Sequence, residues 1–247
     1  MIHDAVPAIV AHRGFSARYR ENSPDAWRGA VDAGADLVEV DIRMTRDGTL
    51  VCCHDADLAR LADREDAISE IDANELASIT ASGAPAAPTL DLLFATLPPA
   101  QAILFDLKDE RPEVLDRLVG AVEAAARGVV IFGLHRTASV RHLRTCTTAP
   151  ILGLLIEGET ADAFFAAGGD ILRLWEGDAS CDAIRALAAG GRAVWITTGH
   201  RGTPRRVGDF DVDGLRRMAA AGATGFLVND PEAARAALRA TVPESDA

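Results

Sequence analysis

The residues able to do chemistry cluster near the start of the chain. Glu39 and Asp41 stand two residues apart in the apolar run LVEVDI. Side chains of a strand alternate between faces, so both carboxylates point one way while Val38, Val40 and Ile42 point the other. Side by side they repel and raise one another's pKa; a hard divalent cation, which takes oxygen ligands, removes that repulsion. The polar face of a half-buried strand explains an isolated Glu-x-Asp pair better, but this pair is not isolated. His12 ends the run AIVA and is followed by Arg13-Gly14, and His54 ends the run VCC. Two imidazoles at strand ends, bracketing a carboxylate pair, suit a general acid and a general base.

A third group extends the cluster. In Asp106-Leu107-Lys108, at the end of another apolar run, alternation puts a carboxylate and an ammonium on one face and adds a third oxygen ligand to Glu39 and Asp41. Of 25 basic side chains only Lys108 is a lysine, so this position selects a compact ammonium where the rest of the protein uses the planar guanidinium.

Taken in order, HRG, then E-N-S, GADLVEVD, T-R-DG and HD resemble the glycerophosphodiester phosphodiesterase family. The resemblance implies a (β/α)8 barrel that hydrolyses glycerophosphodiesters to glycerol 3-phosphate and an alcohol with one divalent cation, Mg2+ or Ca2+. It also implies a role for each residue: His12 and His54 in acid-base catalysis, Glu39, Asp41 and Asp106 as metal ligands, Arg13 and Lys108 on the phosphate. Trp195, in Trp-Ile-Thr, is similar to the family's substrate-lining tryptophan; a core tryptophan reads equally well. Three positions depart from the family. Arg20 replaces the usual proline before Glu21-Asn22-Ser23, Asp106 stands where glutamate is usual, and Gly133-Leu134, followed by His135, replaces Ser-Phe. Asp-x-Lys also occurs in sphingomyelinase D-like lyases, so a cyclising lyase is an alternative, as are a phosphodiester-binding protein without turnover and a zinc hydrolase using His12 and His54 as ligands.

These groups need elements to position them. Ala8 to Ala11 reads as a strand, and Ser23-Pro24 as an N-cap and first helical residue of a helix reaching about Ala33, ended by Gly34. Leu37 to Thr45 is the second strand, and Asp47-Gly48 turns the chain into Leu50 to Cys53. Strands then recur over 102–107, 129–134, 151–156, 171–175, 193–197 and 225–228, each followed by a helical segment; such alternation predicts a parallel sheet closed into an eight-unit barrel. Every candidate residue falls at the carboxyl end of a strand, the face where barrels carry their reacting groups. Residues 55–88, polar and alanine-rich, interrupt the alternation and are expected to form a small insertion over the mouth. Asp230-Pro231 reads as a helix cap.

At 247 residues the chain suits one barrel domain. The net charge of −12 argues against a nucleic-acid partner, which needs clustered basic residues. No apolar run approaches a membrane span, and MIHDAVPAIV lacks a secretion signal, so a cytoplasmic protein acting on a small molecule is expected. Cys52, Cys53, Cys146 and Cys181 lack zinc-finger spacing and read as buried reduced thiols. Against the acidic background, Arg201, Arg205 and Arg206 in the loop GHRGTPRRVGD form a basic patch, either solvated or placed to attract an anionic substrate.

Overall fold

The computed structural model describes residues 6–200 and 202–239. Eight strands form the barrel: β1 (Ala8–Ala11), β2 (Leu37–Met44), β3 (Ala102–Leu107), β4 (Val130–Leu134), β5 (Ile151–Gly153), β6 (Ile171–Trp175), β7 (Ala193–Thr197) and β8 (Gly225–Val228). Each pairs in parallel with its sequence neighbours, and β1 closes the ring by pairing with both β2 and β8. Helices α1 (Pro24–Asp32), α2 (Leu90–Thr96), α3 (Pro112–Ala124), α4 (Thr137–Leu143), α5 (Ala161–Ala166), α6 (Cys181–Ala189), α7 (Val212–Ala221) and α8 (Pro231–Arg239) follow the strands in turn. Among the described residues no helix is long and apolar enough to cross a membrane.

The alternation read from sequence sorts the barrel into two packed regions. Outward residues such as Val38, Val40, Ile42, Phe105 and Phe132 meet the helices in one large cluster. Inward residues Val10, Leu37, Leu104, Ile131, Leu152, Leu154, Trp195 and Leu227 fill the lower barrel. On β2 the inward series runs Leu37, Glu39, Asp41, so the same parity that seats an apolar floor places both carboxylates above it. Both are 1% exposed, which removes the solvated-strand explanation. The fifth strand stops at Gly153 instead of Ile156, because its pairing with both β4 and β6 ends there.

Residues 50–52 run as the turn signal predicts, whereas 55–88 hold more packed structure than their composition suggests. Leu50–Cys52 pairs antiparallel with β2 after the Asp47-Gly48 turn. Within the insertion, two short hairpins and three helical turns enclose an apolar cluster of their own, in which Leu58, Ile68, Ile71, Leu76 and Ile79 pack on Val51 and Cys53. The segment read as polar thus buries a well-spaced minority of large aliphatics. Arg20, the residue at the family's proline position, donates to the carbonyls of Pro85 (2.6 Å) and Ala86 (3.2 Å) and ties the loop after β1 to this cap.

Candidate active site

The site begins where β1 stops. His12 N–H still bonds the Val228 carbonyl, but Arg13 adopts φ 59° and Gly14 φ 82°, and the chain turns sharply. A Cβ on Gly14 would lie 2.6 Å from the Ala26 backbone carbon, so only glycine fits between the turn and α1. Ser23 caps that helix by accepting from Ala26 N, with Pro24 in the first turn. This turn decides the fate of Arg13, which on a regular strand would face away from His12. Its backbone N–H donates to Glu39 Oε2 at 2.6 Å, and its guanidinium reaches Asp41 Oδ2 at 3.3 Å and Glu21 Oε1 at 3.1 Å.

Three carboxylates meet at the top of β2 and β3. Glu39, Asp41 and Asp106 each offer an oxygen, and these oxygens lie within 4.8 Å of one another. Lys108 Nζ bridges two of them, 2.6 Å from Asp106 Oδ2 and 3.3 Å from Asp41 Oδ1. Asn22 Nδ2 donates to Asp41 Oδ2 at 2.7 Å, and His135 Nε2 lies 2.8 Å from Asp106 Oδ1. Burial pushes all three carboxyls up. For Asp41 the opposing charges of Lys108 and Arg13 outweigh it, and for Asp106 the Lys108 charge and the hydrogen bond to His135 do, so both sit below the usual carboxylate range. Glu39 is held well above its ordinary value by burial and by the charges of Asp41 and Asp106. Lys108 is in turn raised: its own burial is overcome by Asp106 and Asp41.

Fully ionised, the three acids would outnumber the two fixed cations Lys108 and Arg13, and the raised Glu39 carboxyl reflects that imbalance together with its burial. The excess has a location: Glu39 Oε1 is buried without a hydrogen-bond partner, and Asp41 Oδ1 faces only the Lys108 ammonium. Unsatisfied buried anionic oxygens are costly, and an all-oxygen donor set of this kind fits a hard divalent cation. The residues therefore fit the metal expected from sequence, although both Asp106 oxygens are already engaged by Lys108 and His135.

Both histidines line one cleft of about 560 Å³, together with Arg13, Tyr19, Arg60 and Arg206. Each has its Nδ1 fixed. Asn229 Nδ2 donates to Val207 O (2.7 Å) and Asp209 Oδ1 (2.9 Å), which turns Asn229 Oδ1 toward His12 Nδ1 at 2.9 Å. An amide oxygen only accepts, so His12 carries its proton on Nδ1 and leaves Nε2 as a lone pair. Burial, aided by the Arg13 charge, lowers the His12 pKa to about 4. His54 Nδ1 instead faces Asp55 Oδ1 at 2.7 Å, and Arg60 Nε holds the other Asp55 oxygen at 2.6 Å. Arg60 also pairs with Glu21 at 2.6 Å, so the insertion supports both histidine loops.

The structure thus gathers His12, Arg13, Glu39, Asp41, His54, Asp106 and Lys108, with Lys108 opening onto a neighbouring cleft of about 830 Å³ lined by Glu110, Arg111, His135 and Arg136. It does not gather Trp195. That indole lies mid-strand, 5% exposed, in the floor cluster, where it covers Gly225; a Cβ there would come within 2.7 Å of the ring. The substrate-lining expectation is corrected by register: Trp195 is inward but one layer too low, and Thr197 holds the layer above. The aromatic at the rim is Trp175, under the Arg173 guanidinium at 4.0 Å. The basic patch is divided. Arg206 lines the histidine cleft, Arg205 is bound to Glu176 at 2.5 Å, and Arg201 lies outside the described residues.

Asn229, Asp55 and His135 were missed as functional residues. Strand parity could have found two of them, since Asn229 continues the inward series Gly225, Leu227 and His135 continues Ile131, Gly133. Asp230, beside Asn229, caps α8 by accepting from Ala233 N at 2.9 Å.

Residues 12–159 match the model of the glycerophosphoryl diester phosphodiesterase family. A glycerophosphodiester phosphodiesterase of Bacillus altitudinis is 38% identical over 68 residues, 28% of this chain and 28% of the relative. Matches to the curated relatives of this kind are short, the first of them spanning 20% to 30% of their length. The fold is shared over nearly the full chain. A glycerophosphodiester phosphodiesterase from Thermotoga maritima superposes with TM-score 0.77 at 22% identity, covering 94% of this chain and 98% of that one. A phosphodiesterase from Oleispira antarctica, solved with its product sn-glycerol-3-phosphate, superposes with TM-score 0.78 at 18% identity, covering 95% and 97%.

Proposed function

The chain belongs to the glycerophosphoryl diester phosphodiesterase family, and from that premise we propose that it hydrolyses glycerophosphodiesters to glycerol 3-phosphate and an alcohol, with His12 as base and His54 as acid. One observation carries this reading: two histidines with differently backed Nδ1 atoms line a single cleft beside a cluster of three carboxylates. A neutral amide behind His12, together with a pKa lowered to about 4, keeps Nε2 unprotonated and ready to accept a proton at neutral pH. Asp55 behind His54 Nδ1 fixes the ring in the wall of the cleft, a position that suits donation to a leaving oxygen.

In the reaction the nucleophile, water or the substrate's own 2-hydroxyl, gives its proton to His12 as its oxygen bonds to phosphorus. The bond from phosphorus to the alcohol oxygen breaks, and His54 protonates that oxygen; where the 2-hydroxyl attacks, this step yields a cyclic phosphate, which water then opens to glycerol 3-phosphate with the proton transfers reversed. Arg13 and Lys108 stabilise the negative charge on the phosphoryl oxygens, and Asn22 and the Arg13 backbone N–H keep Asp41 and Glu39 oriented. A divalent cation, Mg2+ or Ca2+, held by Glu39, Asp41 and Asp106 supplies Lewis-acid stabilisation at a non-bridging oxygen when bound. The cytoplasmic location expected from sequence is part of the same proposal, which cell fractionation tests.

The test is release of glycerol 3-phosphate from glycerophosphocholine, followed by phosphorus NMR, with and without chelator. Cation-dependent release is expected. Accumulation of a cyclic phosphate as the end product would make the protein a lyase, and cation-dependent binding without turnover would make it a binding protein.

A further inference from the structure

A second group of metal-ligating side chains lies on the outer layer of helices, among residues that the proposed reaction does not use. Asp116 stands on α3, His142 near the end of α4, and Cys146, exposed where a buried thiol was expected, just beyond it. His142 and Cys146 are four residues apart. Cys146 N and Thr147 N both bond the Leu143 carbonyl (2.9 and 3.0 Å), so the chain keeps a helical turn past the last residue of α4 and presents both side chains on one side. The Asp116 carboxylate arrives from the neighbouring helix. Its Oδ1 lies 2.7 Å from His142 Nε2 and 3.3 Å from Cys146 Sγ, and one ligand atom from each residue falls within 4.8 Å of the others.

The chemistry differs from that of the barrel mouth. There the donors are three carboxylates, which suit Mg2+ or Ca2+; here they are a thiol, an imidazole and a carboxylate. A mixed sulfur, nitrogen and oxygen set selects zinc and its neighbours over the hard alkaline-earth ions, and three protein ligands leave the fourth tetrahedral position to water. The three groups already converge through hydrogen bonds, so a cation entering between them replaces those protons without rebuilding the backbone.

We propose that Asp116, His142 and Cys146 form a second cation site on the outside of the barrel, which takes a zinc-class divalent ion. On binding, the Cys146 thiol loses its proton to solvent, the His142 ring carries its proton on Nδ1 and offers Nε2, and the Asp116 carboxylate completes the protein ligands. The ion then clamps α3 to α4, and because it binds only the folded arrangement it raises thermal stability.

The full chain titrated with Co2+ tests the site, because a thiolate ligand produces a sulfur-to-cobalt charge-transfer absorption that carboxylate ligands do not. The band is expected in the unmodified protein and in Asp41→Asn, which alters the barrel mouth only, and lost in Cys146→Ser. His142→Ala is expected to weaken Zn2+ binding by more than about 100-fold. Circular dichroism checks that each variant is folded. Zn2+, but not Mg2+, is expected to slow alkylation of Cys146, read by peptide mass, at least about tenfold. No band in the unmodified protein, a band that survives Cys146→Ser, or equal alkylation with and without Zn2+ would each overturn the site.

Discussion

The two walls of the barrel mouth treat charge in opposite ways. On the wall of β1, β2 and β3, three carboxylates share two cations around one point, and one buried oxygen, Glu39 Oε1, has no partner. On the wall of β6 and β7, charges are closed locally: Arg205 is bound to Glu176, and Arg173 stacks over Trp175. The difference teaches where a ligand is needed. A closed pair has its compensation inside the protein, whereas a buried carboxyl held above its ordinary pKa, with one oxygen left unpaired, is completed by what binds.

The strongest way to break this comparison is to remove the excess charge. Asp41→Asn should lower kcat by about 10³-fold or more while the barrel still folds, with cation affinity by calorimetry falling in parallel. Unchanged turnover would show that the acidic wall is structural.

The next test separates the two histidines. His12→Ala and His54→Ala should each cost about 10²- to 10⁴-fold in kcat with little change in KM. A p-nitrophenyl leaving group, which departs without protonation, should rescue His54→Ala and leave His12→Ala impaired; rescue of both or neither would remove the role assignment. The pH profile checks the same point. A base works unprotonated, so lowering the His12 pKa from 6.5 to about 4 keeps it active as the solution is acidified, and the acid limb of kcat/KM should lie near 4 and not near 6.5.

Asn229 reaches this wall from β8. Asn229→Ala should release the His12 ring and reduce kcat by up to about 10²-fold, with KM nearly unchanged, because a misplaced base loses rate and not affinity. Equal loss in KM would point to substrate contact instead.

The opposite wall should respond weakly. Arg206→Ser should raise KM for anionic glycerophosphodiesters roughly two- to fivefold at low ionic strength, an effect that salt removes, whereas Arg205→Ser should leave KM unchanged because Glu176 already holds that guanidinium. Smallest of all, Trp195→Phe should keep kcat within about twofold and lose about 1–3 kcal/mol of stability through underpacking of the floor. A large kcat loss there would return Trp195 to the site.

Parity along β2, the Ser23-Pro24 cap and the recurrence of strand and helix were legible in the sequence because each depends on residues near one another in the chain. They determined the barrel, the shared face of Glu39 and Asp41 and the placement of both histidines at strand ends. Whether an inward side chain lies at the floor or at the rim depends on how far its strand is staggered against its neighbours, and that is a property of the closed sheet. Trp195 fell to the floor for this reason. The same closure brought Asn229, 217 positions from His12, into contact with it, and set His135 against Asp106 across neighbouring strands. The insertion followed a similar division: its composition is polar on average, yet five aliphatic side chains converge only when the hairpins fold back on Val51 and Cys53. Which groups could do chemistry was a matter of residue type and spacing. Which nitrogen of His12 carries the proton was decided only by a tertiary contact, the hydrogen bond to Asn229, whereas His54 is backed by its own chain neighbour Asp55.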